Sequence, residues 1–375
     1  MEKIIKKIFV FLFLFVLAFF MICTIPNNNK YSMVERRPLV TFPKFNISSI
    51  ISKKYFDDVT SAFSDQLVFR KYLVKGYFLF NFQRYFGDAV IGKNNQLYSP
   101  SQIRPSSNYY KELKNTIGFV NEESRKINAK FIFLSIPRKD AYMVNDLPKN
   151  YNSSLDIYNK QVEIAKNNLD DDIIFIDAMK VFKDNNMYYC YYSNDHHITP
   201  RCAYLLIREI NNSVGIITYD FDNTFEVGQT IVNGAYNRQL GQTIKSKKED
   251  LYVVPKTYLS YTRYENNKKS NKSVYGKGNS YEDVYMDGDN AYTKIITNNK
   301  NGEKILFSGS SYTNILEALS VPSYELVTSI DYRHNKTGKG INDYVKENDI
   351  DYVVYIPGQS NNSFSINFLK QHLGY

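Results

Sequence analysis

The chain has 375 residues and a formal net charge of +9, with 33 tyrosines, four histidines, three cysteines and no tryptophan. Its length and ordinary apolar fraction allow one large α/β domain, or one domain with an appendage. The lysines are scattered and no arginine-rich helix or zinc-ligand spacing accompanies them, so no nucleic-acid partner is expected.

The first residues are basic, with Lys3, Lys6 and Lys7, and the run Ile8 to Ile25 is uncharged and rich in Phe, Leu and Val. As a helix at 1.5 Å per residue that run spans about 27 Å, close to the apolar thickness of a bilayer. No small-residue cleavage pattern follows it before Pro26. Residues 1–26 therefore read as an uncleaved signal anchor, a single transmembrane helix. The positive flank puts the N-terminus in the cytoplasm and the bulk of the chain outside.

Residues 27–50 read as an extended, proline-marked linker, and residues 51–375 as the main domain. Apolar residues at helical spacing (Phe56, Val59, Phe63, Leu67, then Leu73, Phe78 and Phe82) predict one or two amphipathic helices between Ser52 and Tyr85. Val90 to Tyr98 predicts a hairpin with an Asn-rich turn. Helical patterns then alternate with short apolar runs. Tyr109 to Asn128, Leu155 to Leu169, Arg201 to Asn211 and Ile341 to Asn348 are helical; Lys130 to Pro137, Ile173 to Asp177, Lys304 to Gly309, Glu325 to Asp331 and Asp351 to Pro357 are buried parallel strands. Residues 213–301 carry weak alternation and read as loops and short strands inserted into the domain.

Two segments concentrate chemistry. Asp195-His196-His197 places two of the four histidines beside a carboxylate, ahead of Thr199 and Pro200, which suit a helix N-cap and first turn. A carboxylate can orient an imidazole and stabilise its charged form, as a general base requires. A solvated polar turn would hold the same residues. Far downstream, Ser308-Gly309-Ser310-Ser311 joins an apolar strand to a helix, a turn that exposes a serine beside backbone N–H groups. Ser311 as nucleophile, His197 as base and Asp195 as its orienting group make a triad; a helix cap is the plainer reading of Ser311 alone. Cys190 and Cys202 flank the histidine segment. Metal-ligand spacing is missing, so no metal or cofactor is expected, while a Cys190–Cys202 disulfide is open to a chain outside the cytosol.

These residues carry a resemblance to the DHHW family, relatives of the alginate O-acetylation proteins within the SGNH-hydrolase-like group. Asp195-His196-His197-Ile198-Thr199 resembles its D-x-H-W-T motif, with isoleucine where tryptophan is usual. Leu306 to Tyr312 resembles its strand and G-[DT]-S-[FY] turn, with Ser310 in the Asp/Thr place. Glu35 to Leu39 with Phe42-Pro43, Asp65 to Arg70, and Gly92 to Tyr98 resemble further family segments. Gly234 to Gly241 and Asp331-Tyr332-Arg333 fit less specifically.

The resemblance implies an SGNH-hydrolase-like α/β/α sandwich with a parallel sheet, the Asp-His motif preceding the Ser in the chain. It implies Ser311, His197 and Asp195 as catalytic residues of an O-acetyltransferase or acetylesterase. Such a protein acts on surface polysaccharide through an acyl-serine, with a membrane acyl-transfer protein as donor. The isoleucine removes an aromatic group beside His197. Arg138, Lys139, Arg333, Gln359 and Asn361 follow strand ends and are candidate oxyanion or substrate contacts. A non-catalytic glycan-binding or surface-assembly protein on the same fold is the alternative.

Overall fold

Alternation along one strand sets the architecture. In the computed structural model, β3 (Lys130–Ser135) turns Phe131 and Phe133 into one apolar cluster and Ile132 and Leu134 into another. The model describes residues 2–32, 37–45, 54–70, 89–99, 108–149, 151–240 and 244–358, with isolated positions at 47, 50, 72–73, 76, 85–86, 105 and 242. The chain forms two compact units, Met1–Ala89 with Asn237–Lys245, and Val90–Tyr236 with Ser246–Tyr375.

In the first unit α1 (Glu2–Thr24) contains a span of 22 residues, Lys3–Thr24, long and apolar enough to cross a membrane. This suits a single-pass anchor or a signal sequence. The helix α2 (Lys54–Gln66) covers the first part of the predicted helical stretch, most of whose remainder lies outside the described residues. Asp65 at its end takes a two-pronged bond from Arg37, at 2.9 and 2.6 Å, and a third from the Val40 N–H at 2.9 Å. The guanidinium holds the Asp65 carboxyl below its ordinary range against the opposing effect of burial. Two of the segments that resemble the family thus meet through one ion pair.

The second unit holds the sheet. After the hairpin β1 (Ala89–Ile91) and β2 (Leu97–Tyr98) come α3 (Tyr109–Ser124), β3, the short helix α4 (Lys139–Tyr142), α5 (Leu155–Asn168), β4 (Ile174–Asp177), α6 (Ala178–Asp184) and α7 (Pro200–Val214). A separate antiparallel pair, β5 (Phe225–Ile231) and β6 (Lys248–Pro255), follows. Then come β7 (Tyr261–Glu265), β8 (Lys268–Ser270), α8 (Tyr281–Val284), β9 (Tyr292–Thr297), β10 (Lys304–Gly309), α9 (Tyr312–Ser320), β11 (Leu326–Asp331), α10 (Ile341–Asn348) and β12 (Tyr352–Tyr355).

Eight strands pair in the order β8-β7-β9-β11-β10-β12-β3-β4. The run from β11 through β4 is parallel, and β9, β7 and β8 extend the edge antiparallel. Residues of α3 and α10 share the cluster of Phe131 and Phe133, while α6, α7 and α9 share that of Ile132 and Leu134. Helices therefore cover both faces, and the parallel strands read as unbroken apolar runs for that reason. The sheet is mixed, where a parallel one was expected. Three of its strands come from residues 213–301, whose alternation is weak because Thr293, Thr297 and Arg263 are buried there among the apolar positions. The Asn-rich turn between β1 and β2 is as expected, with Asn94 and Asn95 at φ 54° and 57°, a conformation asparagine tolerates.

Candidate active site

The segment that precedes α7 is a stapled loop. Cys190 and Cys202 form a disulfide with Cα atoms 5.5 Å apart. Above it the Thr199 N–H donates to Cys190 O at 2.8 Å, and Tyr191 bridges Ile198 across the loop. Lys139 ties the loop down: its buried ammonium donates to Tyr192 O, Ser193 O and Leu97 O at 2.6, 2.7 and 2.9 Å. Glu249 accepts from both the N–H and the hydroxyl of Ser193.

At the loop tip Asp195 is fully buried and its carboxylate is saturated. Oδ1 accepts from the N–H groups of His196 and His197 and lies 2.7 Å from His197 Nδ1; Oδ2 accepts from the Ala235 N–H at 2.7 Å. Burial would raise this carboxyl, but the charges of His197 and His196 and the bonds from His197 and Ala235 hold it well below the usual range. An ionised Asp195 only accepts, so Nδ1 of His197 carries the proton it donates and Nε2 is left as the acceptor.

Nε2 meets Ser311. The strand β10 ends at Gly309, where a Cβ would lie 2.9 Å from Thr313 Cγ2 and 3.2 Å from Ile356 Cβ, so a larger residue would press on both side chains where the chain enters α9. Ser311 stands at the N-cap of α9, and its Oγ lies 2.9 Å from His197 Nε2. Residues 114 positions apart are thereby joined in one chain of hydrogen bonds, Ser311–His197–Asp195. Asp195, His197 and Ser311 are 0%, 2% and 7% exposed, so water screens their interactions little. This arrangement can deprotonate a serine hydroxyl as it attacks, with N–H groups at the start of α9 beside the developing charge.

Three aromatic residues complete the site. The Tyr281 ring is stacked on the His197 imidazole, centroids 3.7 Å apart, and the Tyr281 hydroxyl donates to Ser311 O at 2.8 Å. Tyr312 packs 5.5 Å from His197 and donates to His196 O at 2.7 Å. Tyr236 lies 5.9 Å from the His196 ring. Tyr312 fills the [FY] place of the serine-turn motif and Tyr236 falls within Gly234 to Gly241, whereas Tyr281 carries no signal in sequence: it is one of 33 tyrosines, in the weakly alternating stretch 213–301. His196, half exposed, lies against His197 with ring centroids 4.0 Å apart.

The other candidates fall into separate places. Arg138 Nε donates to Asp140 Oδ1 at 2.9 Å and lines a pocket that reaches His196 and Tyr312. Lys139 lines the same pocket, but its ammonium is spent on three carbonyls. Arg333 bridges Asp331 and Asp289. Gln359 and Asn361 lie outside the described residues. Among the described residues two groups bring ligand-type atoms within 4.8 Å, Asp195-His196-His197 and Asp289-Asp331-His334. In the first, Asp195 Oδ1 is already shared by the imidazole and two N–H groups; in the second, the Arg333 guanidinium already bridges both carboxylates.

No family model matches the chain, and no curated protein matches it. Solved structures do. A DHHW family protein from Eubacterium siraeum is similar over 76% of this chain and 97% of its own, with 21% identity and a TM-score of 0.58. PatB1 of Bacillus cereus carrying a sulfonyl adduct is similar over 76% and 99%, with 20% identity and a TM-score of 0.61; PatB1 without that adduct gives 19%, 76% and 100%, and 0.57. At such identities the likeness is one of fold: the chain shares the α/β fold of the DHHW family protein from Eubacterium siraeum and of PatB1 from Bacillus cereus.

Proposed function

We propose that this protein is a membrane-anchored, extracellular serine acyl-transfer enzyme, an O-acetyltransferase or acetylesterase acting on cell-surface polysaccharide. The observation that carries the reading is the chain Ser311 Oγ–His197 Nε2–Asp195 Oδ1, with separations of 2.9 and 2.7 Å among buried groups. The sulfonyl adduct on PatB1, a protein of the same fold, is in keeping with it, since sulfonyl reagents trap activated nucleophiles.

In the first half-reaction Ser311 Oγ attacks the acetyl carbonyl and its proton passes to His197 Nε2. Asp195 stabilises the imidazolium through Nδ1. The oxyanion is held by the Ser311 N–H and a second donor. The tetrahedral adduct collapses, His197 returns the proton to the leaving group, and acetyl-Ser311 remains. In the second half, His197 takes the proton of a sugar hydroxyl or of water, whose oxygen attacks the acetyl carbon. Ser311 leaves with the proton restored. A sugar gives transfer; water gives hydrolysis. Among the described sequence candidates, Arg138 lies beside the site with a substrate-contact role to play, and Lys139 acts by holding the histidine loop.

The N-terminal helix would anchor the chain with Lys3, Lys6 and Lys7 in the cytoplasm, and a membrane acyl-transfer protein would supply the acetyl group. The Cys190–Cys202 disulfide supports a location outside a reducing cytosol. The test is acetyl-ester turnover by the full-length protein in detergent, with and without an oligosaccharide acceptor. Turnover in the wild type and none in Ser311→Ala upholds the reading; equal turnover in both removes it, and so does intact glycan binding with no turnover in the wild type.

A further inference from the structure

Beside the proposed nucleophile lies a pocket of about 210 Å³. Its lining includes Tyr98, Arg138, Asp140, His196, Tyr236 and Tyr312. His196 and Tyr312, which line it, are the chain neighbours of His197 and Ser311, so the pocket lies one residue away from each reacting group. It is smaller than the roughly 300–1,000 Å³ of pockets for drug-sized ligands, which suits one ring and not a chain of several. Three phenols and an imidazole offer ring faces of the kind sugars stack on.

One group in it lacks a partner. Asp140 is 3% exposed, and while Oδ1 accepts from Arg138 Nε at 2.9 Å, Oδ2 has no hydrogen-bond partner. The Tyr151 hydroxyl stands near this carboxylate but donates to Ser99 O at 2.7 Å. A buried carboxylate oxygen without a donor is costly, and such a group calls for a ligand that brings one. The nearest cations are committed: Arg138 to Asp140, and Lys139 to three backbone carbonyls.

Resting on the acyl-transfer reading, we propose that this pocket is the acceptor subsite for an uncharged sugar residue. A hydroxyl or amide N–H of that sugar donates to Asp140 Oδ2, while the ring lies among Tyr98, Tyr236 and Tyr312. A uronate is selected against, because its carboxylate would face a buried like charge. His196 forms the wall between this subsite and His197, which gives the first histidine of the pair a binding role.

The test is isothermal titration of the full-length protein in detergent with two uncharged tetramers, chitotetraose and cellotetraose, and with tetragalacturonate. The wild type should bind at least one uncharged tetramer about ten-fold or more tighter than the uronate. Asp140→Asn should weaken that binding about ten-fold or more and narrow the discrimination, with its melting temperature checked alongside. Binding of neither uncharged tetramer, preference for the uronate, or unchanged affinity in folded Asp140→Asn overturns the subsite. Should the variant not fold, the wild-type preference decides alone. Ser311→Ala separates the two claims: ester turnover persisting in it sinks the acyl-transfer reading whatever the tetramers do, and ester turnover lost there while no tetramer binds the wild type sinks the subsite alone.

Discussion

The Tyr281 phenol lies flat on the His197 imidazole, with ring planes 2° from parallel and centroids 3.7 Å apart. Its hydroxyl donates to Ser311 O and accepts from the Ile315 N–H at 3.2 Å. One side chain thus fixes the plane of the base and the peptide of the nucleophile. It gives His197 an aromatic partner that the next residue, Ile198, buried in the core, does not. Tyr281→Phe keeps the stack and loses two hydrogen bonds, so kcat for acetyl-ester hydrolysis should fall by only about three- to ten-fold. Tyr281→Leu releases the ring as well, and a loss of about 100-fold in kcat with KM little changed is expected. Steady-state kinetics of both variants check this, and wild-type kcat in Tyr281→Leu would remove the positioning role.

Asp195→Asn should lower kcat by about 10³–10⁴-fold. An amide N–H turned toward Nδ1 favours the tautomer in which Nε2 carries the proton, and that nitrogen can no longer accept from Ser311. Circular dichroism and melting should accompany the kinetics, because Asp195 also binds the N–H groups of His196, His197 and Ala235.

The disulfide closes a loop of sequence separation 12 around the histidine segment. Replacing both cysteines by serine should cost about 3 kcal/mol of unfolding free energy, measured by urea denaturation. A reductant should bring the wild type to the same level and leave the double variant unmoved.

Glu317, on α9 beyond Ser311, is fully buried and accepts from the hydroxyls of Thr293 and Ser329. Burial pushes its pKa from 4.5 up to about 7 against those bonds and the charge of Arg263. The folded chain therefore holds a proton between about pH 4.5 and pH 7 that the unfolded chain has released, and stability falls as pH rises through that window. The cost is absent below 4.5 and complete above 7. Glu317→Gln should match the wild type near pH 4.5 and exceed it by up to about 3 kcal/mol near pH 8, read from urea midpoints.

Much of this was legible because parallel strands buried on both faces are unbroken apolar runs, as at Phe131 to Leu134 and Ile305 to Phe307. Asp195, His197 and Ser311 stood out because few titratable groups sit at loops that feed helices. Tyr281 and Asp140 did not stand out. Their importance lies in contacts made across long sequence separations: Tyr281 with His197, and Asp140 with a pocket lined from five chain segments. The antiparallel edge was hidden for a different reason. At β9 the buried positions include two threonines, Thr293 with its hydroxyl paired to Glu317 and Ser329 and Thr297 donating to Tyr324 O, and hydrophobic alternation does not register them.

The proposed chemistry turns on whether His197 activates Ser311. Phenylmethylsulfonyl fluoride treatment of the full-length protein, followed by peptide mass mapping, asks this most directly. The expected result is one sulfonyl adduct on Ser311, absent in Ser311→Ala and formed far more slowly in His197→Ala. Labelling elsewhere, or Ser311 left unmodified in the folded wild type, would contradict the account.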